Sequence, residues 1–323
     1  MPGANGCPVR RRKREDKMTG LALNGMGVDR KVGRHISSQT RAVLLMLPPA
    51  LILFTLFVAL PLADAAYYSL FKWNGFGNPT EFVGFENFRQ ALGHDVFWQA
   101  VRNSLSVLGV SVVIQLPIAL GLALLIYEKT TSNTLFRLIF FLPFILAEIA
   151  SGLIWSFVFD GNTGVAAFIF NALGWPPFFI LADRHWAFAA ILLVIVWKYF
   201  GFHMMIYIAA LQAVPKELLE AARLEGAGRW AVVRHVQIPM IASAIGVSVF
   251  FSIVGSLQLF DVVIPLTNGG PSNTTHTIVT YLYTFGLTRT RIGFGSAVGV
   301  MLFVAAVAVS AIYQRLISKG GRI

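Results

Sequence analysis

The chain has 323 residues, 56% of them hydrophobic and only 13% charged, and its mean hydropathy is +0.69. Soluble domains carry about 25% charged residues, so a water-soluble globule is excluded and the composition is that of an integral membrane protein. Lys and Arg outnumber Asp and Glu by 26 to 15, but ten of those bases lie before residue 42. The excess is a property of one tail, which makes it an orientation signal rather than a nucleic-acid footprint.

Residues 1–41 are polar and contain the run Arg10-Arg11-Arg12-Lys13-Arg14. No apolar segment follows that run until Ala42, so it reads neither as a secretory signal peptide nor as a twin-arginine signal. A cytoplasmic tail that fixes topology is the simplest reading; attraction to anionic lipid headgroups, at about 1 kcal/mol per base, is the other. Cys7 is the only cysteine, so no intrachain disulfide can form.

Six apolar stretches follow, at about 42–63, 104–127, 135–159, 186–211, 241–264 and 295–317. Each is long enough for the ~20 residues that cross a hydrocarbon core. In lipid each must satisfy its backbone polar groups internally, which makes them helices. The fold class expected is therefore an all-α membrane protein with six transmembrane helices. It comprises a tail at 1–41, a membrane domain at 42–317 and a short tail at 318–323. Pro48, Pro49, Pro61, Pro117 and Pro143 predict kinks within the spans. With the N-terminus inside, the cytoplasmic segments hold nineteen bases and the external ones six, which predicts both termini in the cytoplasm.

The first external segment contains Trp73-Asn74-Gly75 and Phe82-Val83-Gly84-Phe85-Glu86-Asn87-Phe88. It predicts a compact cap with a short helix at 86–92. Within the spans the ionisable residues are Glu148, Lys198 and Asp261. Each costs at least ~2.5–3.5 kcal/mol at the bilayer centre and so needs a partner or a watery cavity. For Lys198 and Glu148 an interhelical ion pair or snorkelling would suffice. Gln258 stands three residues before Asp261, on one helical face, and Trp155, Trp197, Tyr199, Phe200 and Tyr207 supply aromatic surface. Aromatic faces beside hydrogen-bonding groups suit a sugar, so Gln258, Asp261, Trp197, Lys198, Tyr207 and Trp155 are the candidate substrate-pathway residues; for each aromatic taken singly plain bundle packing is the simpler reading, while for Asp261 and Gln258 structure and substrate contact stand level.

Residues 214–239, VPKELLEAARLEGAGRWAVVRHVQIP, interrupt the apolar pattern. Pro215 suits a helix start, Lys216 to Glu225 is rich in helix formers, and Gly226 and Gly228 weaken continuity before a second short helix at 229–237. Ala221, Ala222 and Gly226 leave one surface nearly bare of side chain, open to close approach by another protein. The spacing Glu220-Ala221-Ala222, three residues, Gly226, nine residues, then Val236-Gln237-Ile238-Pro239 resembles the EAA loop of the permease subunits of binding-protein-dependent ABC importers. The WNG and FVGFENF segments are similar to those of the sugar-transport branch of that family. So is the run Leu266-Thr267-Asn268-Gly269-Gly270-Pro271, Tyr281-Leu282-Tyr283, then Gly293 to Ala297. These matches extend from about Trp73 to Ala297.

The resemblance implies a type I ABC importer permease fold, in which Glu220, Ala221, Ala222, Gly226, Ile238 and Pro239 form a cytoplasmic helix coupled to an ATPase. It implies a bacterial inner-membrane location and import of a sugar or oligosaccharide, with glycerophosphodiester or polyol as alternatives. The partners implied are a second homologous permease, two copies of the ATPase and an extracytoplasmic solute-binding protein. ATP and Mg would sit on the ATPase, with no cofactor, metal, nucleic acid or catalytic residue on this chain. In keeping with that, the sequence has no GxxxxGK[ST], no HExxH or Cys/His cluster and no GxSxG. A secondary transporter is the remaining rival, but no internal repeat of the kind that class shows is present.

Overall fold

The computed structural model of the chain describes residues 38–320. The basic run at 10–14, Cys7 and the last three residues lie outside them. The chain divides into two units, residues 1–53 and 54–323. The described part of the first is helical and apolar, with Pro48 and Pro49 inside helix Ser38–Phe54, and its side chains from Val43 onward are exposed, as a lipid-facing surface requires.

Among the described residues, four helices are long and apolar enough to cross a membrane: α1 (Val43–Tyr68), α3 (Asp95–Ile126), α7 (Arg184–Gln212) and the last, α13 (Ile292–Gly320). Two bent pairs raise the number to six if each pair is one span: α4 (Thr131–Ile145) with α5 (Glu148–Val158), and α9 (Arg229–Met240) with α10 (Ala242–Gln258). Shorter helices fill the connections: α2 (Glu86–Leu92), α6 (Val165–Ala172), α8 (Lys216–Leu224), α11 (Val263–Thr267) and α12 (Ile278–Leu287). No strand occurs among the described residues; Phe71 and Phe82 form one antiparallel bridge.

Three of the prolines shape their helices in the same way. Wide π turns occupy Thr55–Ala59, Ser111–Gln115 and Val233–Gln237. Each ends two residues before a proline: Pro61, Pro117 and Pro239. Proline has no N–H to donate and its ring collides with the carbonyl four residues back. Widening the preceding turn, so that Leu116 N–H reaches the Ser111 carbonyl, absorbs the mismatch and keeps the helix going.

Helix α7 is the axis of the second unit. It is apolar nearly all round, as a buried helix should be, and Ile191, Val194, Met204, Tyr207 and Leu211 are buried along it. The end of α3 lies against it through Ala119 and Ala123, small residues that permit close packing. Helix α4 approaches still closer at Gly201, where a Cβ would overlap the Phe140 carbonyl. Arg184, at the start of α7, donates to Ser272 Oγ (3.2 Å), while Gln212, at its end, donates to the Tyr127 carbonyl (2.8 Å). The loop around Ser272 and the segment after Gln212 therefore sit at opposite ends of a helix roughly 43 Å long.

Two of the expected spans differ from the apolar runs that predicted them. The stretch at 135–159 is not one helix: it breaks at Leu146 and Ala147, both extended, and turns by 96°. The stretch at 241–264 leaves its helix at Gln258 and becomes helical again only at Val263, in α11, and α10 turns by 66° from α9. The short helix expected in the first loop is present as Glu86–Leu92.

Candidate functional site: a polar cavity and a protruding helix

Where α3, α5, α7 and α10 meet, the bundle leaves a cavity of about 330 Å³. Its polar lining comes from Ser111 and Gln115 on α3, Glu148 at the start of α5, Tyr199 and His203 on α7, and Ser252, Ser256 and Gln258 on α10, with Asp261 beyond. Phe144, Phe202, Phe251 and Phe260 supply apolar walls. Tyr199 donates to Glu148 Oε1 (2.7 Å), and the Asp261 carboxyl lies beside that of Glu148. His203 Nδ1 and Ser252 Oγ are buried without a hydrogen-bond partner. Such groups are costly when left unsatisfied, so this lining is set up to receive a polar ligand or water.

Of the six residues predicted for a substrate pathway, the structure brings Gln258 and Asp261 to the cavity. The helix ends at Gln258, so they share the cavity through the chain's exit from the helix, not through helical register. The other four do not line it. Trp155 and Trp197 pack edge to face, with ring centroids 5.3 Å apart. Tyr207 is buried in the apolar core with Met204 and Leu211. Lys198, only 1% exposed, makes no ion pair with Glu148; its Nζ donates to the carbonyls of Leu146 (2.7 Å) and Pro143 (3.4 Å) and to Ser151 Oγ (3.3 Å). Ser111, Gln115, His203 and Ser252 escaped the sequence reading. The signal for them was a polar residue recurring at four-residue spacing inside an apolar run: 111 and 115, 199 and 203, 252 and 256.

At the far end of α7, α8 projects from the bundle on two apolar anchors. Leu219 of α8 and Val232 of α9 are buried with Leu211 and Ile241. The helix is otherwise open: Glu220 and Ala221 are exposed and Ala222 is half-buried. It ends in a left-handed turn, with Gly226 N–H bonded to the Arg223 carbonyl, Ala227 N–H to that of Ala222, and φ of +85° at Gly226. This is the turn for which glycine is selected. Among the described residues, nothing beyond its own chain neighbours lies within 4 Å of where a Gly226 Cβ would be. Ile238 and Pro239 fall in the continuation of α9, just past its π turn. Leu224 and Trp230, 88% and 82% exposed, flank the turn. Neither was among the predicted residues.

Helical spans around a polar cavity, with an open helix at one end, are an arrangement that suits a transport component. Residues 115–322 match the family described as "Binding-protein-dependent transport system inner membrane component". A sulfoquinovosyl glycerol transport system permease protein of Agrobacterium fabrum is 34% identical over 274 residues, spanning 84% of this chain and 89% of its own. A diacetylchitobiose uptake system permease protein of Streptomyces coelicolor is 31% identical over 275 residues, 81% of this chain and 78% of its own. The fold is also that of a crystallised "bacterial ABC transporter involved in the import of the acidic polysaccharide alginate", with TM-score 0.78 at 24% identity over 88% of this chain and 97% of that one. The chain belongs to the binding-protein-dependent transport system inner membrane components, and it is a permease subunit.

Proposed function

We propose that this chain forms part of the translocation pathway of an ATP-driven importer for a neutral sugar or oligosaccharide. An extracytoplasmic solute-binding protein delivers the substrate, a second homologous permease completes the pathway, and two copies of a cytoplasmic ATPase drive it. The observation that carries the reading is the cavity. Glu148, Gln258 and Asp261 offer acceptors and Gln115 and Tyr199 a mixed edge, beside phenylalanine faces, which is the pairing a sugar's hydroxyl rim and C–H faces require. Among the described residues no lysine or arginine lines it, so a hydroxyl-rich neutral ligand suits it better than a phosphodiester. The names of the Agrobacterium and Streptomyces relatives support a sugar-containing cargo.

Both termini lie in the cytoplasm in this reading, on the strength of the nineteen-to-six distribution of bases. With each bent pair taken as one span, the 214–239 segment falls on the same side in this reading. There α8 acts as a lever: Glu220, Ala221, Ala222 and Gly226 meet the ATPase, and Ile238 and Pro239 pass the movement into α10. ATP and Mg belong to that partner. Closure of the ATPases swings the spans from inward-open to outward-open.

The test is copurification of the detergent-solubilised complex from wild type, Gly226→Ala and Gly226→Trp. Alanine carries the same backbone strain at φ +85° as tryptophan without its bulk, so it separates docking from local strain. The expected outcome is an ATPase and a second permease with wild type and Gly226→Ala, and loss of the ATPase alone from Gly226→Trp. A chain that purifies by itself and supports uptake without ATP overturns the reading.

A further inference from the structure

The break between α4 and α5 is held by a residue more than fifty positions away. Helix α4 ends at Ile145 with its last carbonyls unpaired by any further turn, and α5 starts at Glu148 after two extended residues. An ammonium has three donors and no acceptor. The Lys198 Nζ uses them on Pro143 O and Leu146 O on the α4 side and on Ser151 Oγ on the α5 side. The positive charge sits at the negative end of the α4 dipole, and the Glu148 carboxylate sits in the first turn of α5, at its positive end. The next residue on α7, Tyr199, grips that carboxylate at 2.7 Å. Glycines let both halves seat tightly: Gly201 against the Phe140 carbonyl, and Gly152 against Pro265 and the Val262 carbonyl.

We propose that Lys198 is a positioning residue that staples the two halves of the broken α4–α5 span and thereby holds the Glu148 carboxylate in the cavity. The staple is a matter of geometry, and its meaning for transport rests on the cavity reading above. Removing the ammonium leaves the α4 carbonyls without donors, and a straighter helix, in which they bond onward to residues 147–150, becomes the better arrangement. Glu148 then leaves the cavity wall and Tyr199 loses its acceptor.

The experiment measures the bend directly in the assembled complex. With Cys7 replaced by serine, spin labels go on Leu138 and Phe157, both exposed. Two helical arms of about 11 and 14 Å meeting near a right angle are on the order of 8 Å shorter end to end than the same arms in line. Lys198→Met is expected to lengthen or broaden the label distance toward that limit, and Lys198→Arg, which restores donors to the carbonyls, to return it to the wild-type value. In parallel, a Glu148→Cys chain labelled with a charged methanethiosulfonate should react about tenfold more slowly when Lys198→Met is added. Ser151→Ala removes one of the three acceptors and serves as the milder variant should Lys198→Met not accumulate; its distance distribution should broaden without a large shift. An unchanged distance and labelling rate in Lys198→Met, or, if that chain does not accumulate, an unchanged distribution in Ser151→Ala, overturns the proposal. Failure of the sugar reading looks different: Glu148→Gln would leave uptake of neutral disaccharides unchanged while the distance effect of Lys198 persisted.

Discussion

The two polar loops at opposite ends of α7 are built on opposite plans. In the loop around Ser272, polar side chains turn inward and are spoken for: Thr275, His276, Thr277 and Thr280 are all buried. Asn103 Nδ2 reaches across from α3 to the carbonyls of Thr274 (2.7 Å) and His276 (2.8 Å), and Thr277 Oγ1 donates to the Leu259 carbonyl (2.6 Å). Beyond it, Asn87 likewise ties the carbonyls of Ser69 and Phe71 (2.8 and 2.9 Å). The 214–239 segment has no such closure. Among the described residues none of its charged side chains forms an ion pair, and Leu224 and Trp230 are bare. A loop that satisfies itself holds a shape. A loop that leaves its charges, its apolar side chains and the space around Gly226 unused holds an open surface.

The same substitution at two glycines gives this contrast its largest test. Gly269 and Gly226 both have left-handed backbones, with φ of +80° and +85°. A Cβ at Gly269 overlaps the ring of buried His276, whereas one at Gly226 meets nothing within 4 Å. Alanine at 226 therefore carries only the backbone penalty, roughly 1 kcal/mol. At 269 it adds overpacking against a hydrogen-bonded ring, for about 2–4 kcal/mol together. Thermal unfolding of the solubilised complex should rank Gly269→Ala well below Gly226→Ala. Equal losses would mean the Ser272 loop is as open as the other.

A smaller effect follows from His276. Its Nε2 lies 3.3 Å from Asn273 Oδ1 and its Nδ1 3.2 Å from Thr280 Oγ1. Burial, and after it the charge of Arg289, push the ring's pKa from 6.5 down to about 4. The unfolded chain takes up a proton near pH 6.5 that the folded loop refuses until about pH 4, so the unfolded state binds more protons in between. Stability should be full above pH 6.5 and fall as the pH drops toward 4. His276→Gln should flatten that slope, and a wild-type profile level from pH 7.5 to 5 would show that the ring is not sealed in.

How much of this was legible beforehand depends on the range of the forces involved. The spans and the helix at 216–224 rest on local patterns, apolar runs and a glycine-terminated stretch of helix formers, and the sequence carries those directly. The break at Leu146 does not, because Pro143 alone is compatible with a mild kink; the two-part geometry needs Lys198 from α7. The cavity failed in the same way. Gln115, His203 and Ser252 each look like isolated polar residues until three helices bring them to one wall, while Trp155, Trp197 and Tyr207 had the right chemistry on faces that packing had already taken. Exposure of Leu224 and Trp230 was equally invisible, since an apolar residue in an amphipathic helix is first read as core.

Those two side chains supply the smallest effect on the chain itself and the sharpest separation of the two loops. Leu224 and Trp230 touch little of their own protein, and surface substitutions away from packed groups change stability by about 0.5 kcal/mol or less. Leu224→Ser and Trp230→Ser should therefore leave the unfolding temperature of the isolated permease unmoved. If they sit in the middle of an interface, though, a buried tryptophan is the kind of residue whose truncation costs binding about 2 kcal/mol or more. The paired measurement is unfolding of the permease alone beside recovery of the ATPase from the complex. Stability unchanged with the ATPase lost places the unused surface of α8 and α9 in contact with the motor. Stability lost with the ATPase retained would make these residues part of the permease's own packing, and the contrast between the two loops would collapse.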